Sequence, residues 1–209
     1  MRWRRLLAAV AIPLGSSGGW QTIQFKGIPA NKTEFSKDGL KIEVEKSASV
    51  LIHTFKNLVR VKSFTADIEF LKGGIKNPPK GWPEDQYLRV GLIVPGPTKL
   101  GVVEQMSAAE WLKQLFALMP QEAGLDKVYL FDVAAPARTG GDTRFMPNSK
   151  DLFQETISVT RHPGEKQVKL SVKLPRPRLV YAIWLNSDGE NSGSTYAIRL
   201  KSLKLDVKD

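Results

Sequence analysis

The chain has 209 residues, with 31 Lys and Arg against 21 Asp and Glu, two histidines and no cysteine. That length suits one domain that needs no covalent staple. The missing thiols exclude disulfides, thiolate metal sites, a cysteine nucleophile and a lipid-modified cysteine anchor. Residues 1–5 (MRWRR) are basic, 6–14 (LLAAVAIPL) apolar and 15–19 small, which is the order of a secretory signal peptide. The apolar run is too short to span a bilayer, which takes about 20 residues. The expectation is therefore a leader over 1–19 and a single domain over 20–209, periplasmic or secreted, with no transmembrane segment after the leader. Three arginines leave with such a leader, so the formal charge falls from +10 to +7.

From Trp20 onward the pattern has mostly period two, the mark of half-buried strands. Leu40, Ile42 and Val44 alternate with charged neighbours, and Ala48, Val50 and Ile52 resume a buried face after a polar turn. Phe64, Ala66, Ile68 and Phe70 repeat the pattern, and residues 87–94 (YLRVGLIV) form a more continuous apolar strand. Ser107, followed three residues later by Glu110, resembles a capping box. Trp111, Leu112, Leu115, Phe116, Leu118 and Met119 give the next segment an apolar face, and Pro120 stops it. The spacing predicts a helix over 107–119, with Trp111 as core packing. Val168, Leu170, Val172 and Leu174 alternate again, and 179–185 (LVYAIWL) reads as a central strand. In the last strand the alternation slips by one residue, which places a β-bulge at Lys201–Ser202.

Many short strands, one substantial helix and no βαβ rhythm imply a mostly β chain: an antiparallel β-sandwich, jelly-roll or galactose-binding-like. The segments WQTIQF (20–25), DGLKIEVEKSAS (38–49), FTADIEF (64–70), DQYLRVGLIV (85–94), LVYAIWLNSDGENSG (179–193) and LKLDV (203–207) support a further reading. In this order they resemble a bacterial secreted family of uncharacterised function with a galactose-binding-like β-sandwich. The resemblance implies the fold and export, and brings no catalytic signature. Domains of that fold often bind carbohydrate, though one fold serves many functions.

Long loops carry the candidate groups. Arg138, Asp142 and Arg144 lie within seven residues, and such forks of donors and acceptors suit sugar hydroxyls or carboxylates. Trp82, in a proline-rich loop, offers a flat face for a sugar ring. Asn186, Asp188, Glu190 and Asn191 are closely spaced oxygen donors, either a calcium site or a plain polar turn with Asn191 in a left-handed position. No cofactor other than calcium is expected. His53 and His162 match no metal or triad motif. The best expectation is non-catalytic binding of a carbohydrate, or another anionic polymer, in the cell envelope. One alternative is a glycan hydrolase or lyase using two of Glu69, Asp85, Glu104, Asp132 and Asp142, although their spacing selects no pair. The other is an envelope structural or protein-interaction domain. The late strands carry many lysines, but without an aromatic motif among them nucleic acid is not an expected partner.

Overall fold

The computed structural model describes residues 9–76, 84–120, 122–136, 143–146, 149 and 151–207. Its strands are β1 (Ala9–Ala11), β2 (Trp20–Gln24), β3 (Lys32–Ser36), β4 (Gly39–Glu45), β5 (Ala48–Gly74), β6 (Gln86–Gly96), β7 (Gly124–Ala134), β8 (Thr143–Phe145), β9 (Phe153–Thr160), β10 (Gln167–Asp188) and β11 (Thr195–Val207). Two helices, α1 (Val102–Ser107) and α2 (Glu110–Ala117), lie between β6 and β7. The mostly β sandwich expected from the alternation is what forms. All pairs are antiparallel except β7 with β9.

Two strands are far longer than their sequence segments imply. Segments 48–52 and 64–70 are both part of β5, which spans 27 residues. Segments 168–174 and 179–185 are joined in β10, which spans 22. Each serves both layers. Residues 48–54 of β5 pair with 182–188 of β10 in a first layer ordered β2, β5, β10, β6, β7, β9, β8. Residues 61–74 of β5 pair with β11 in a second layer ordered β3, β4, β11, β5, β10. The register of β10 against β5 breaks between Lys173 and Arg178. Pro175 and Pro177 in that gap have no N–H to give to a ladder. The bulge predicted near Lys201 is present, since the register shifts between Leu200 and Ser202.

Alternation decides what lies between the layers. Leu88, Val90, Leu92, Ile183 and Leu185 of the first layer meet Leu40, Ile42, Phe64, Ile68, Ile198 and Leu200 of the second. The Phe64 and Phe131 rings meet edge to face at 5.3 Å across this core. The opposite face of the first layer carries a smaller cluster, with Val50, Ile52, Ile93, Leu130 and Trp184 under fully buried Leu115 of α2. An eight-residue helix is marginal alone, so this contact holds it in place. The single helix expected over 107–119 is divided instead. The Ser107 hydroxyl bonds back to the Val103 carbonyl at 3.1 Å and ends α1 rather than capping α2. Extended backbone at Ala108 and Ala109 separates the two.

The chain entering from the N-terminus is part of the sandwich from Ala9 onward. β1 continues the edge begun by β4, pairing with Lys204–Asp206 of β11. The Ile12 N–H donates to the Leu203 carbonyl at 2.9 Å. Ile12 and Leu14 are buried in the main core. Ile12→Ala and Leu14→Ala should therefore each lower unfolding stability by about 2–4 kcal/mol in chemical denaturation. Values near zero would show that this segment only rests on the surface.

Candidate functional site

Strand 87–94 is apolar except for Arg89, and that one residue organises a polar row across the outer face of the first layer. In register, Arg89 of β6 faces Asn186 of β10 on one side and Asp132 of β7 on the other. Glu155 of β9 pairs across with Arg144 of β8. The row runs Asn186, Arg89, Asp132, Glu155, Arg144. Asp132 and Glu155 are fully buried and Arg89 is 7% exposed.

Charges taken out of water need partners, and these have them. An Arg89 terminal nitrogen donates to the Asn186 Oδ1 at 3.1 Å, and the other to the Glu84 carbonyl at 2.6 Å. The guanidinium also lies 3.2 Å from Glu155, 3.6 Å from Asp132 and 3.7 Å from Asp188. Arg144 donates through Nε to Glu155 Oε2 at 2.7 Å. Neither carboxylate oxygen of Asp132 accepts a hydrogen bond among the described residues.

The electrostatics follow from this crowding. Burial pushes the Asp132 carboxyl up, Arg89 partly offsets that, and like-charged Glu155 adds to it. Burial likewise raises Asp188 to about 6, against the pull of Arg89 and with the help of Asp85. Burial disfavours the Arg89 charge, but Glu155, Asp132 and Asp188 together overcome that and hold it protonated.

The turn after β10 closes the row at one end. Asp85 accepts the backbone N–H groups of Asn191 at 3.2 Å and Ser192 at 2.8 Å, and also the Ser192 hydroxyl. The left-handed position in this turn belongs to Gly193, with φ 61°, and not to Asn191 as expected. Tyr196, fully buried, donates to the Gln86 carbonyl at 2.7 Å behind the turn. Asn186 Nδ2 donates to the Ser49 carbonyl at 2.9 Å.

A cavity of about 210 Å³ opens over the row. Its floor and one side are Arg89, Asn186, Asp188, Glu190 and Asn191; Phe25, Trp111, Phe153 and Trp184 form the other wall. The rings brace one another edge to face, with Trp111 5.5 Å from Phe153 and 6.3 Å from Trp184. The Trp184 indole N–H is buried without an acceptor among the described residues. A buried donor left without a partner carries a desolvation cost.

The sequence-predicted residues divide three ways. Trp82, Arg138 and Asp142 lie outside the described residues. Arg144 joins the row through Glu155. Asn186, Asp188, Glu190 and Asn191 do come together, as one side of the cavity. The calcium expected among them meets a different arrangement: Asn186 and Asp188 turn their oxygens toward Arg89, whose guanidinium supplies the positive charge. Among the described residues no group of three acidic or histidine side chains is placed to hold a metal ion. Of the candidate acids, Asp85 and Asp132 reach this region, Glu69 pairs with Arg199 at 3.3 Å, and Glu104 accepts from the Gly101 N–H at the start of α1. His53 sits between Trp20 and Phe55, its Nδ1 3.1 Å from the Gly19 carbonyl. The His162 N–H donates to Glu165 in an exposed turn. Arg89 and Glu155 were missed. The signal for Arg89 was present, since an arginine inside an apolar strand must be buried with partners.

No protein-family model and no curated protein matches the chain. Solved structures similar to it include a xylan-binding module, CBM15, at TM-score 0.40 and 8% identity over 97% of both chains. Another is Xyn11A of Necallimastix patriciarum as a loop-swap mutant, at TM-score 0.38 and 10% identity, covering 96% of this chain and all of that one. A third is the E385A xylanase 10C of Cellvibrio japonicus in complex with xylopentaose, at TM-score 0.36 and 7% identity, covering 96% of this chain and 29% of that one. Likeness at this level carries neither ligand nor mechanism over to this chain. The resemblance to a secreted galactose-binding-like family stands at the level of the sandwich, which the strand pairing shows directly.

The raised Asp188 carboxyl has a measurable consequence. Its folded pKa of about 6 exceeds the unfolded value of about 3.9, so the folded state holds the proton more tightly. The resulting stability is fully present below about pH 4 and is lost as pH rises through about 6, an effect on the order of 2–3 kcal/mol. Asp188→Asn should flatten the fall in unfolding stability over that window, as measured by denaturation at each pH. An unchanged pH profile would place the titration elsewhere.

Proposed function

We propose that this chain binds a saccharide without chemical turnover, and that the cavity between the Arg89 row and Trp184 holds one ring of it. What supports the reading is the sharing of one cavity by an aromatic wall and a hydrogen-bonding floor. Apolar ring faces cover the C–H side of a sugar, while fixed polar groups read its hydroxyls. The volume of about 210 Å³ is below the range of about 300–1,000 Å³ typical of drug-sized ligands, so it fits a single ring with its neighbours outside.

Charge selects among saccharides. The charged groups lining the cavity are Arg89, Asp188 and Glu190, so an added anion would meet net negative charge. A neutral sugar fits this cavity better than the anionic glycan that the overall +10 favours.

A hydrolase is the second reading, and one observation favours it. Asp188 and Glu190 both line the cavity, and Asp188 is raised to about 6. A carboxyl poised near neutrality beside a second acid is the general-acid arrangement of glycosidases. Export is part of the proposal and rests on the residue order of 1–19. Removal of 1–19 would take β1, Ile12 and Leu14 out of the sandwich, and N-terminal sequencing of protein recovered from its host tests whether that stretch leaves.

Glycan-array screening followed by calorimetry on the best neutral oligosaccharide tests the main reading. Trp111→Ala should weaken binding about tenfold or more, on the order of 1–2 kcal/mol. Trp184→Phe, which trims the indole to a phenyl ring and keeps an aromatic face, should weaken it by a smaller factor. Binding unchanged in both variants would remove the ligand from this cavity, and release of shorter sugars, lost in Asp188→Asn, would establish the hydrolase instead.

A further inference from the structure

The two layers differ in extent. The second stops at residues 167–178 of β10, while the first continues past that edge through β7, β9 and β8. Phe131 and Val133 of β7 still pack in the main core, but where Tyr129, Thr143, Gln154 and Thr156 lie beside the β10 edge a groove of about 470 Å³ opens. Its lining is unlike that of the cavity on the other face. Gln154 and Thr156 of β9 and Ser171 of β10 offer an amide and hydroxyls, Tyr129 supplies a ring, and Lys173 and Arg178 supply charge. No Asp or Glu is among the lining residues.

The cations are placed rather than scattered. Lys173 ends the exposed row Lys169, Ser171, Lys173 of β10, and Arg178 follows the break in its ladder, so the two cations bracket the groove's β10 side. The Arg178 guanidinium lies 5.0 Å from the Tyr129 ring centre, a cation–π contact that fixes its position at the groove wall. Lys127, two residues before Tyr129 on β7, caps the exposed Phe145 ring at 4.7 Å. Lys173 and Arg178 form no salt bridge with a described acid, and their charge is available to a ligand.

We infer that this groove is a second binding site, for an acidic saccharide chain carrying carboxylate or sulfate groups. An arginine fork and a lysine match such anions, and the amide and hydroxyls between them match ring hydroxyls. The groove volume admits a short run of rings. Single-stranded nucleic acid, the other common polyanion, needs free aromatic faces for its bases. Here Arg178 covers Tyr129 and Lys127 covers Phe145. This site is independent of the cavity on the opposite face, and the cavity reading can fail without it.

The test is calorimetry on the whole protein with four probes at low salt: a galacturonic acid trimer, a sulfated trisaccharide, a neutral galactose trimer and a single-stranded DNA decamer. At least one acidic sugar should bind measurably more tightly than the neutral trimer and the DNA, and the tighter of the two identifies the anion. High salt should weaken that binding, because the charges are near the surface. Lys173→Gln, at an exposed position that leaves the core untouched, should weaken it about tenfold. Trp111→Ala should leave it unchanged, which separates this site from the cavity. Thermal unfolding of Lys173→Gln at the wild-type temperature confirms that folding is intact. No binding of either acidic sugar, equal binding of the neutral trimer, tighter binding of the DNA, or indifference to Lys173→Gln would each overturn the assignment.

Discussion

The architecture depends on β5 and β10 passing through both layers. A strand shared by two layers ties their registers together, because its side chains must alternate correctly against both. Leu51 and Phe64, in the two halves of β5, face the same core, whereas Val50 and Ile52 face the helix side. The β10 strand keeps Leu170 and Ile183 in that core and puts Trp184 on the helix side. The irregular stretch around Pro175 and Pro177 is where β10 breaks its ladder between these two tasks. A sandwich joined in this way cannot slide one layer over the other without breaking strand pairing, so sites built on either face stay fixed.

The Arg89 row makes use of that rigidity. A guanidinium held among buried carboxylates stabilises the fold only while all the partners remain, since removing one side of a buried pair leaves an uncompensated charge. The partners come from β10, β6, β7 and β9, so the row also reports whether four strands are in register. Asp132 remains without a hydrogen-bond donor among the described residues, and its raised pKa expresses that cost. The same arrangement gives the neighbouring cavity its chemistry: fixed acceptors, one buried cation, and a carboxyl at Asp188 near its titration point.

The strands whose two faces differ in polarity were legible in the sequence. Leu40 to Val44, Phe64 to Phe70 and Val168 to Leu174 each alternate, and each forms a strand with the predicted face inward. The slip near Lys201 was visible for the same reason. Continuity was not legible: nothing in the polar stretch 53–63 shows that it remains extended between two buried segments, and the prolines in 175–177 look like a turn. β7 and β9 were missed because their sequences do not alternate simply. Residues 128–135 are apolar on both faces save for Tyr129 and Asp132, and β9 carries polar residues on both faces. The site suffered from the same limit, because its row comes from five strands and only the side from Asn186 to Asn191 is close in sequence. The loops gave a stronger chemical signal, yet the polar row lies mainly on strands.

The two recesses are consequences of one alternation. In β9, Glu155 points to the outer face and its neighbours Gln154 and Thr156 to the inner. In β8, Arg144 reaches Glu155 on the outer side, while Thr143 faces the inner groove. In β7, Asp132 and Leu130 lie outward and Tyr129 and Phe131 inward. The outer face thus collects buried acids around Arg89 and Arg144, and the inner face collects neutral polar groups and cations. A sheet only one strand thick separates environments of opposite charge, and a one-residue change of register in β9 would move Glu155 among the cations and leave Arg89 short of a partner. The overall excess of basic residues hides this division. The net charge describes the average surface, whereas the choice of ligand is made by the few charges that each face encloses.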